Sequence, residues 1–294
     1  MGWRISRTSE SIITIDIDCE RRKGWEQWVL LTSDRHIDST KTDRKMQKEH
    51  LEQAKEKDAI VIDTGDLFDA MQGKHDKRGT KEDIKKEYVE GKTSYFNQII
   101  KDAHKFFKPY IKNLAILGTG NHETAITKHN ETDLLDMLVS FLNESGSKVI
   151  KGGYRQYIRF RFSDSKRAVA NVFMHYSHGS GKGAEVTKGI IKTNRRAVYL
   201  PDAHIVVGGH IHESWYLELV RSRIGRSKEY TDEQIHVCIP TYKDEFTEQN
   251  SGFMHEKEQA PRPKGGWWIR FVFGDDSHGA TRDQIIKYEL LRAK

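Results

Sequence analysis

Three short apolar runs, Trp28-Val29-Leu30-Leu31, Ala59-Ile60-Val61-Ile62 and Leu114-Ala115-Ile116-Leu117, each stop abruptly at polar or glycine residues. A run of that length, apolar on both faces, reads as a strand central to a sheet whose two sides are covered. Between the first two lies a Lys/Glu/Gln-rich stretch, residues 42–57, in which Met46, Leu51 and Ala54 make a thin apolar stripe of helical period. Strand, helix, strand in that order is a βαβ unit, which directs the chain to the α/β class. It also places any ligand, because open α/β sheets bind just beyond the carboxyl ends of their strands.

The residues at those ends are chemically distinctive. The first run leads into Ser33-Asp34-Arg35-His36, the second into Thr64-Gly65-Asp66-Leu67-Phe68-Asp69, and the third into Gly118-Thr119-Gly120-Asn121-His122-Glu123. Asp34 and His36 stand two apart, which in an extended chain turns both side chains to one side. Ser177-His178-Gly179 then follows one expected strand, and Gly208-Gly209-His210-Ile211-His212 follows another with the same i, i+2 spacing. Four histidines, two aspartates and one asparagine, with no thiolate, suit Mn, Fe, Zn, Ni or Co better than Ca or Mg. Seven ligands exceed what one transition metal takes. They match two ions about 3.5–4 Å apart that share a carboxylate, the arrangement that activates a bridging water and polarises a phosphoryl group.

Taken together, these motifs resemble the calcineurin-like metallophosphoesterase superfamily, whose signature runs DxH, GDxx, GNH(D/E), H and GHxH. Here it reads Asp34-Arg35-His36, Gly65-Asp66-Leu67-Phe68, Gly120-Asn121-His122-Glu123, His178 and Gly209-His210-Ile211-His212, complete over residues 34–212. The resemblance implies a four-layer α-β-β-α sandwich of two mixed sheets. It implies that Asp34, His36 and His212 bind one divalent ion, that Asn121, His178 and His210 bind a second, and that Asp66 bridges them, with Mn preferred. His122 is implied as the histidine that faces the substrate and stabilises the phosphoryl charge or protonates the leaving oxygen. Glu123 either orients His122 or faces solvent. Arg35 replaces a commonly apolar residue, and either adds positive charge beside the site or points outward. Of the two histidines in Met174-His175-Tyr176-Ser177-His178-Gly179, His178 immediately precedes the glycine turn, whereas His175 falls on the opposite face of an ideal strand.

From residue 147 the pattern shifts towards antiparallel β-structure. Ile158, Phe160 and Phe162 alternate with Arg155, Tyr157, Arg159 and Arg161, and further strands are expected at 169–174, 205–207, 215–220, 236–239 and 267–272. Helices are expected from Tyr95 to Tyr110 and from an N-cap at Asn130. Trp267 and Trp268 are adjacent, so one should enter the core and leave the other for a cleft. A single domain over residues 1–294 is expected, with a charged surface insertion near 71–94 and a long loop at 250–266.

Forty-nine basic residues against 43 acidic ones give a net charge of +6, which favours anionic partners. The expected reaction is therefore hydrolysis of a phosphodiester in nucleic acid or a nucleotide, with a phosphomonoester or phosphoprotein as the alternative substrate. A non-catalytic interaction module on the same fold is the competing class, and the full ligand set argues against it. No apolar run reaches about 18 residues, and Met1-Gly2-Trp3-Arg4 lacks the layout of a signal peptide. Cys19 and Cys238 show no CxxC spacing and read as ordinary buried thiols. A cytoplasmic protein with no membrane partner is expected.

Overall fold

The three apolar runs form the middle of a six-stranded sheet in the computed structural model, which describes residues 2–70, 85–89, 93–165, 167–181, 183–184, 186–244, 246, 258, 260–274 and 285–294. The first half of the chain comprises β1 (Trp3–Arg7), β2 (Ile12–Asp18), β3 (Glu26–Thr32), α1 (Arg44–Glu56), β4 (Ile60–Asp63), α2 (Lys86–Val89), α3 (Tyr95–Phe107), β5 (Leu114–Leu117), α4 (Asn121–Asn130), α5 (Leu134–Glu144) and β6 (Ile150–Lys151). The second half adds β7 (Arg155–Asp164), β8 (Arg167–Ser177), α6 (Lys192–Tyr199), β9 (Ile205–Gly208), β10 (Trp215–Ile224), β11 (Glu229–Cys238), β12 (Gly266–Phe273) and β13 (Ile286–Ala293). One sheet has the order β13-β12-β3-β4-β5-β6 and the other β1-β2-β7-β8-β9-β11-β10. From β3 to β6 the pairing is parallel.

The period-two patterns sort the side chains into layers. Val29, Leu31, Ile60 and Ile62 meet Ile158, Phe160 and Phe162 from the other sheet in a core between the two sheets. Leu30, Val61, Leu114 and Leu117 face the opposite way, against Leu51 of α1, Ile99 and Ile100 of α3 and Leu135 and Leu138 of α5. Leu200, Ala203 and Val206 form a small cluster on the outer side of the second sheet, beside α6. The architecture is the α-β-β-α sandwich. Among the described residues, no helix is long and apolar enough to cross a membrane.

Several local expectations are corrected. The second sheet is not a purely antiparallel C-terminal unit: β2 pairs parallel with β7, and β9 pairs parallel with both β8 and β11. Its first two strands come from the N-terminus, where Ile13, Ile15 and Ile17 carry a plain period-two signal and are fully buried. Meanwhile β12 and β13 return to the first sheet, with β12 antiparallel to β3. Asn130 does not cap a helix; it ends α4, whose chain turns left-handed at Glu131, and Asp133 caps α5 by accepting the Asp136 N–H at 2.9 Å. Trp267 and Trp268 are both buried on opposite faces of β12, one in each main core, so neither lines a cleft. Of the expected insertion and loop, residues 71–84, 90–92, 250–257 and 259 lie outside the described residues.

Arg35 overturns both of its expected placements. It has no exposure and lies within the fold, its Nε donating to Asp63 Oδ2 at 2.8 Å and its Nη2 to Thr32 at 3.0 Å. The guanidinium carbon sits 5.5 Å from the Phe107 ring centre and 5.2 Å from that of Tyr242. Burial raises the Asp63 carboxyl, and Arg35 is its main counterweight. Truncating one partner of a buried ion pair leaves a bare charge. We expect Arg35→Ala to lower unfolding free energy by about 3–5 kcal/mol, and the Arg35→Met/Asp63→Leu double variant to lose less, both read by urea denaturation.

Candidate metal centre

The predicted ligands come from loops at the carboxyl ends of β3, β4, β5, β8 and β9, and they meet. Ligand atoms of Asp34, His36 and His212 lie within 4.8 Å of one another, as do those of Asp66, His178 and His210. The two groups adjoin: His178 Nε2 is 3.0 Å from Asp66 Oδ2 and 4.0 Å from Asp34 Oδ1. Asn121 joins them, its Oδ1 being 3.1 Å from His178 Nε2. His175 lies on the outer face of β8 with its ring 4.7 Å from that of Tyr157, away from this centre.

The side chains converge by a route that strand alternation does not describe. β3 ends at Thr32 and β9 at Gly208, so neither i, i+2 pair is in a strand. Instead Asp34, His36, Asp66, His210 and His212 all have left-handed backbone, with φ of 50°, 43°, 54°, 70° and 55°. Such geometry is rare outside glycine and costs roughly 1–3 kcal/mol per residue unless the surroundings impose it. Close approach imposes it here. A Cβ on Gly120 would overlap the Asp66 carboxylate, and one on Gly209 would overlap the Ser33 hydroxyl, so glycine lets these loops touch.

Carboxylates fasten the loops together. Asp34 Oδ2 accepts the His210 N–H at 2.9 Å, and Asp66 Oδ1 accepts the His122 N–H at 2.9 Å. Glu123 neither orients His122 nor faces water. It is buried and accepts N–H groups from Asp66 (3.1 Å), Phe68 (2.9 Å) and Gly120 (2.8 Å), joining the second motif to the third. His122 is held by a 2.6 Å hydrogen bond between its Nδ1 and the Asp69 carbonyl, which leaves Nε2 3.8 Å from Asp66 Oδ2.

Sequence reasoning left two neighbours unassigned. Asp69 directly follows the second motif, and its carboxylate lies 3.1 Å from His36 Nδ1 and 3.1 Å from Lys243 Nζ. Its signal was present, as an acid three residues after Asp66. Lys243 had only its place just after a strand, which leaves its role open, because nothing local marks a lysine 174 residues from its partner. A third ligand group, His36, Asp69 and His122, is also close enough to hold an ion, but the His122 Nδ1 in it is already bonded to the Asp69 carbonyl.

The electrostatics suit a cation. Burial works to raise the Asp34 carboxyl, yet His178 and His212 hold it at about 2. Asp66 is likewise kept well below the carboxylate range, against burial, by His178 and His122. Burial works to lower His178, but Asp66 and Asp34 push it up to about 9. Asp34 Oδ1 and His36 Nε2 are buried without a hydrogen-bond partner among the described residues. Inward, unshared lone pairs of oxygen and nitrogen with no thiolate fit a divalent transition metal.

Because three buried N–H groups depend on Glu123, its removal should be costly at about 1–3 kcal/mol for each donor left unsatisfied. Glu123→Ala should therefore lose about 3 kcal/mol or more in urea denaturation of the metal-free protein. A loss under about 1 kcal/mol would mean that water or a neighbour replaces the carboxylate.

A sequence profile of the calcineurin-like phosphoesterases matches residues 28–214. No curated protein matches the chain in sequence. Among solved structures, one similar chain is a conserved uncharacterized protein of Streptococcus pneumoniae described as a predicted phosphoesterase, at 11% identity over 91% of this chain and 90% of that one, TM-score 0.32. Another is wild-type Vps29 of Entamoeba histolytica complexed with zinc, at 9% identity over 91% and 100%, TM-score 0.35. A third is GAP50, the anchor in the inner membrane complex of Plasmodium, at 8% identity over 92% and 85%, TM-score 0.41. At such identities nothing about substrate carries across. The profile match covers more than half of the 294 residues, from the strand before Asp34 to just beyond His212, and the chain belongs to the calcineurin-like phosphoesterase family of metal-dependent phosphoester hydrolases.

Proposed function

We propose that the reaction runs at a two-metal centre, with Asp34, His36 and His212 holding one ion, Asn121, His178 and His210 the other, and Asp66 shared between them. The observation behind this reading is the contact of the two three-residue ligand groups through His178, whose Nε2 lies within 4.0 Å of both Asp66 and Asp34. Two divalent ions at that place supply Lewis acidity towards a phosphoryl group and a hydroxide nucleophile at neutral pH. Manganese is our reading of the native metal; nitrogen and oxygen donors without sulfur fit it, as they fit iron, zinc, nickel or cobalt. His122 would stabilise the phosphoryl charge or protonate the leaving oxygen: the Asp69 carbonyl takes the Nδ1–H and leaves Nε2 turned to the centre. Nε2 therefore has a proton to give only in the imidazolium form, which burial disfavours and Asp66 favours. Glu123 keeps the Asp66 and Asn121 loops in register.

The substrate we favour is a phosphodiester in nucleic acid or a nucleotide, on the strength of the +6 net charge. The arginines of β7 and β10 lend little further support. Arg161 pairs with Asp16, the Arg159 guanidinium lies over the Phe173 ring at 5.6 Å, and Arg221 and Arg223 both pair with Asp232. That neutralisation favours the second reading, a phosphomonoester whose recognition stays within the metal centre. Turnover of single- and double-stranded DNA, RNA, cyclic nucleotides and phosphopeptides compared side by side separates the two.

With bis-p-nitrophenyl phosphate and Mn²⁺, Asp66→Asn should lose bound metal and turnover together. His122→Ala should keep both ions while turnover falls by about 10²–10⁴-fold. Wild-type rates in both variants would sink the role assignments. Proton competition gives an independent check. His178 holds its proton up to about 9, and a ligand histidine must be neutral. Mn²⁺ affinity should thus climb as pH rises towards 9, and calorimetry in buffers of different ionisation enthalpy should register proton release. An affinity flat between pH 6.5 and 9 would remove His178 from the ligand set.

A further inference from the structure

Beyond β11 the chain crosses the metal centre as a strap, Ile239-Pro240-Thr241-Tyr242-Lys243-Asp244, which lies outside the residues matched by the family profile. The strap is tied to the first metal-binding loop. Thr241 Oγ1 and the Tyr242 N–H both donate to the Asp34 carbonyl, at 2.9 and 3.1 Å. Tyr242 is fully buried and its hydroxyl hydrogen-bonds His50 Nδ1 at 2.8 Å. The Asp43 N–H donates to the Tyr242 carbonyl at 2.8 Å, the Asp244 N–H to the Lys41 carbonyl at 2.8 Å and the Gly265 N–H to the Thr241 carbonyl at 3.0 Å. Lys243 is therefore delivered to the site by a segment fixed on both sides.

We propose that Lys243 is a positioning residue for the metal centre, acting through Asp69 on His36; the proposal rests on the two-metal reading given above. Lys243 is only 7% exposed. An ammonium so deeply placed needs a compensating anion, and its Nζ lies 3.1 Å from Asp69 Oδ2. The other oxygen of that carboxylate is 3.1 Å from His36 Nδ1. A histidine that binds a metal through Nε2 has its Nδ1–H free to be oriented by a carboxylate, which fixes tautomer and ring direction. His36 approaches this arrangement: its Nδ1 faces Asp69 Oδ1 at ion-pair distance without hydrogen-bond alignment, and Nδ1, Nε2 and Asp69 Oδ1 are all buried with no hydrogen-bond partner among the described residues. By engaging Oδ2, Lys243 fixes the rotation of the Asp69 carboxylate and keeps Oδ1 turned to the His36 ring. The same residue presents its carbonyl to His122, so both imidazoles rest on one anchored aspartate.

The test is Mn²⁺ titration of metal-free protein by calorimetry for wild type, Lys243→Met, Asp69→Asn and the double variant. Lys243→Met should weaken one of two Mn²⁺ binding events by about 10–100-fold, the range for losing a group that orients a ligand histidine, and leave the other within about threefold. In the Asp69→Asn background, adding Lys243→Met should change affinity by less than about twofold, since a residue acting only through Asp69 has nothing left to act on. Should either single variant fail to fold because it leaves a buried charge unpaired, the neutral double variant is compared with wild type and should still weaken one Mn²⁺ binding event by about 10–100-fold; two wild-type affinities there overturn the inference. Lys243→Met with two wild-type affinities, or a further loss of about tenfold or more in the Asp69→Asn background, overturns the inference alone. Wild-type protein that binds fewer than two Mn²⁺ overturns the two-metal reading, and the inference with it.

Discussion

Asp34 and Asp66 each divide their two carboxylate oxygens between two duties. One oxygen accepts a backbone N–H from a different loop, His210 for Asp34 and His122 for Asp66. The other stays directed at the shared centre, 3.3 Å from His212 Nε2 for Asp34 and 3.0 Å from His178 Nε2 for Asp66. Charge-assisted hydrogen bonds of this kind are stronger than neutral ones and sensitive to direction. The same groups that would bind a cation therefore hold together the loops that bring them there. Glu123 extends the principle without entering the centre, by accepting three N–H groups from two loops.

That fastening explains how the site tolerates its own backbone. Five of the seven predicted ligands are left-handed without being glycine. Unfavourable conformations persist where the surroundings over-determine them, and they concentrate at functional sites. Here Asp34, His36, Asp66 and His210 each sit just beyond a strand end and donate a backbone N–H to another loop. The glycines beside them, Gly120 and Gly209, let the loops close without a clashing side chain. A folded sheet thus carries short, bent strand exits that an isolated peptide would not adopt.

Buried charge recurs one layer further in. Arg35 faces away from the metal centre and ties Asp63, Thr32 and two aromatic rings into the helix-side core. Its neighbours in sequence, Asp34 and His36, point the other way. Alternation in an extended chain would also set Arg35 opposite Asp34 and His36; what the fold adds is its cover, Gln47 of α1 and Phe107 of α3. Asp38 has a similar role, accepting the Asp69 and Ala70 N–H groups and the Tyr95 hydroxyl. Arg35 and Asp38 therefore serve the framework behind the site.

Which residues would meet is legible in the order of the amino acids. Apolar runs ending in Asp, His or Gly-Asn-His specify parallel strands and a crevice at their carboxyl ends, and the helical stripe of residues 42–57 and the alternation of 155–162 were legible because burial imposes fixed periods. Helix α4 was not, since only His122, Glu123 and Ile126 are buried along it, too few for a period to show. Folding brings β1 and β2 into the second sheet, sets Glu123 to clamp two loops, turns Arg35 inward and carries Lys243 to Asp69. These depend on contacts between residues far apart in the chain. Local propensity and periodicity encode how a segment folds on its own neighbours, whereas a long-range ion pair leaves no mark on the residues adjacent to either partner.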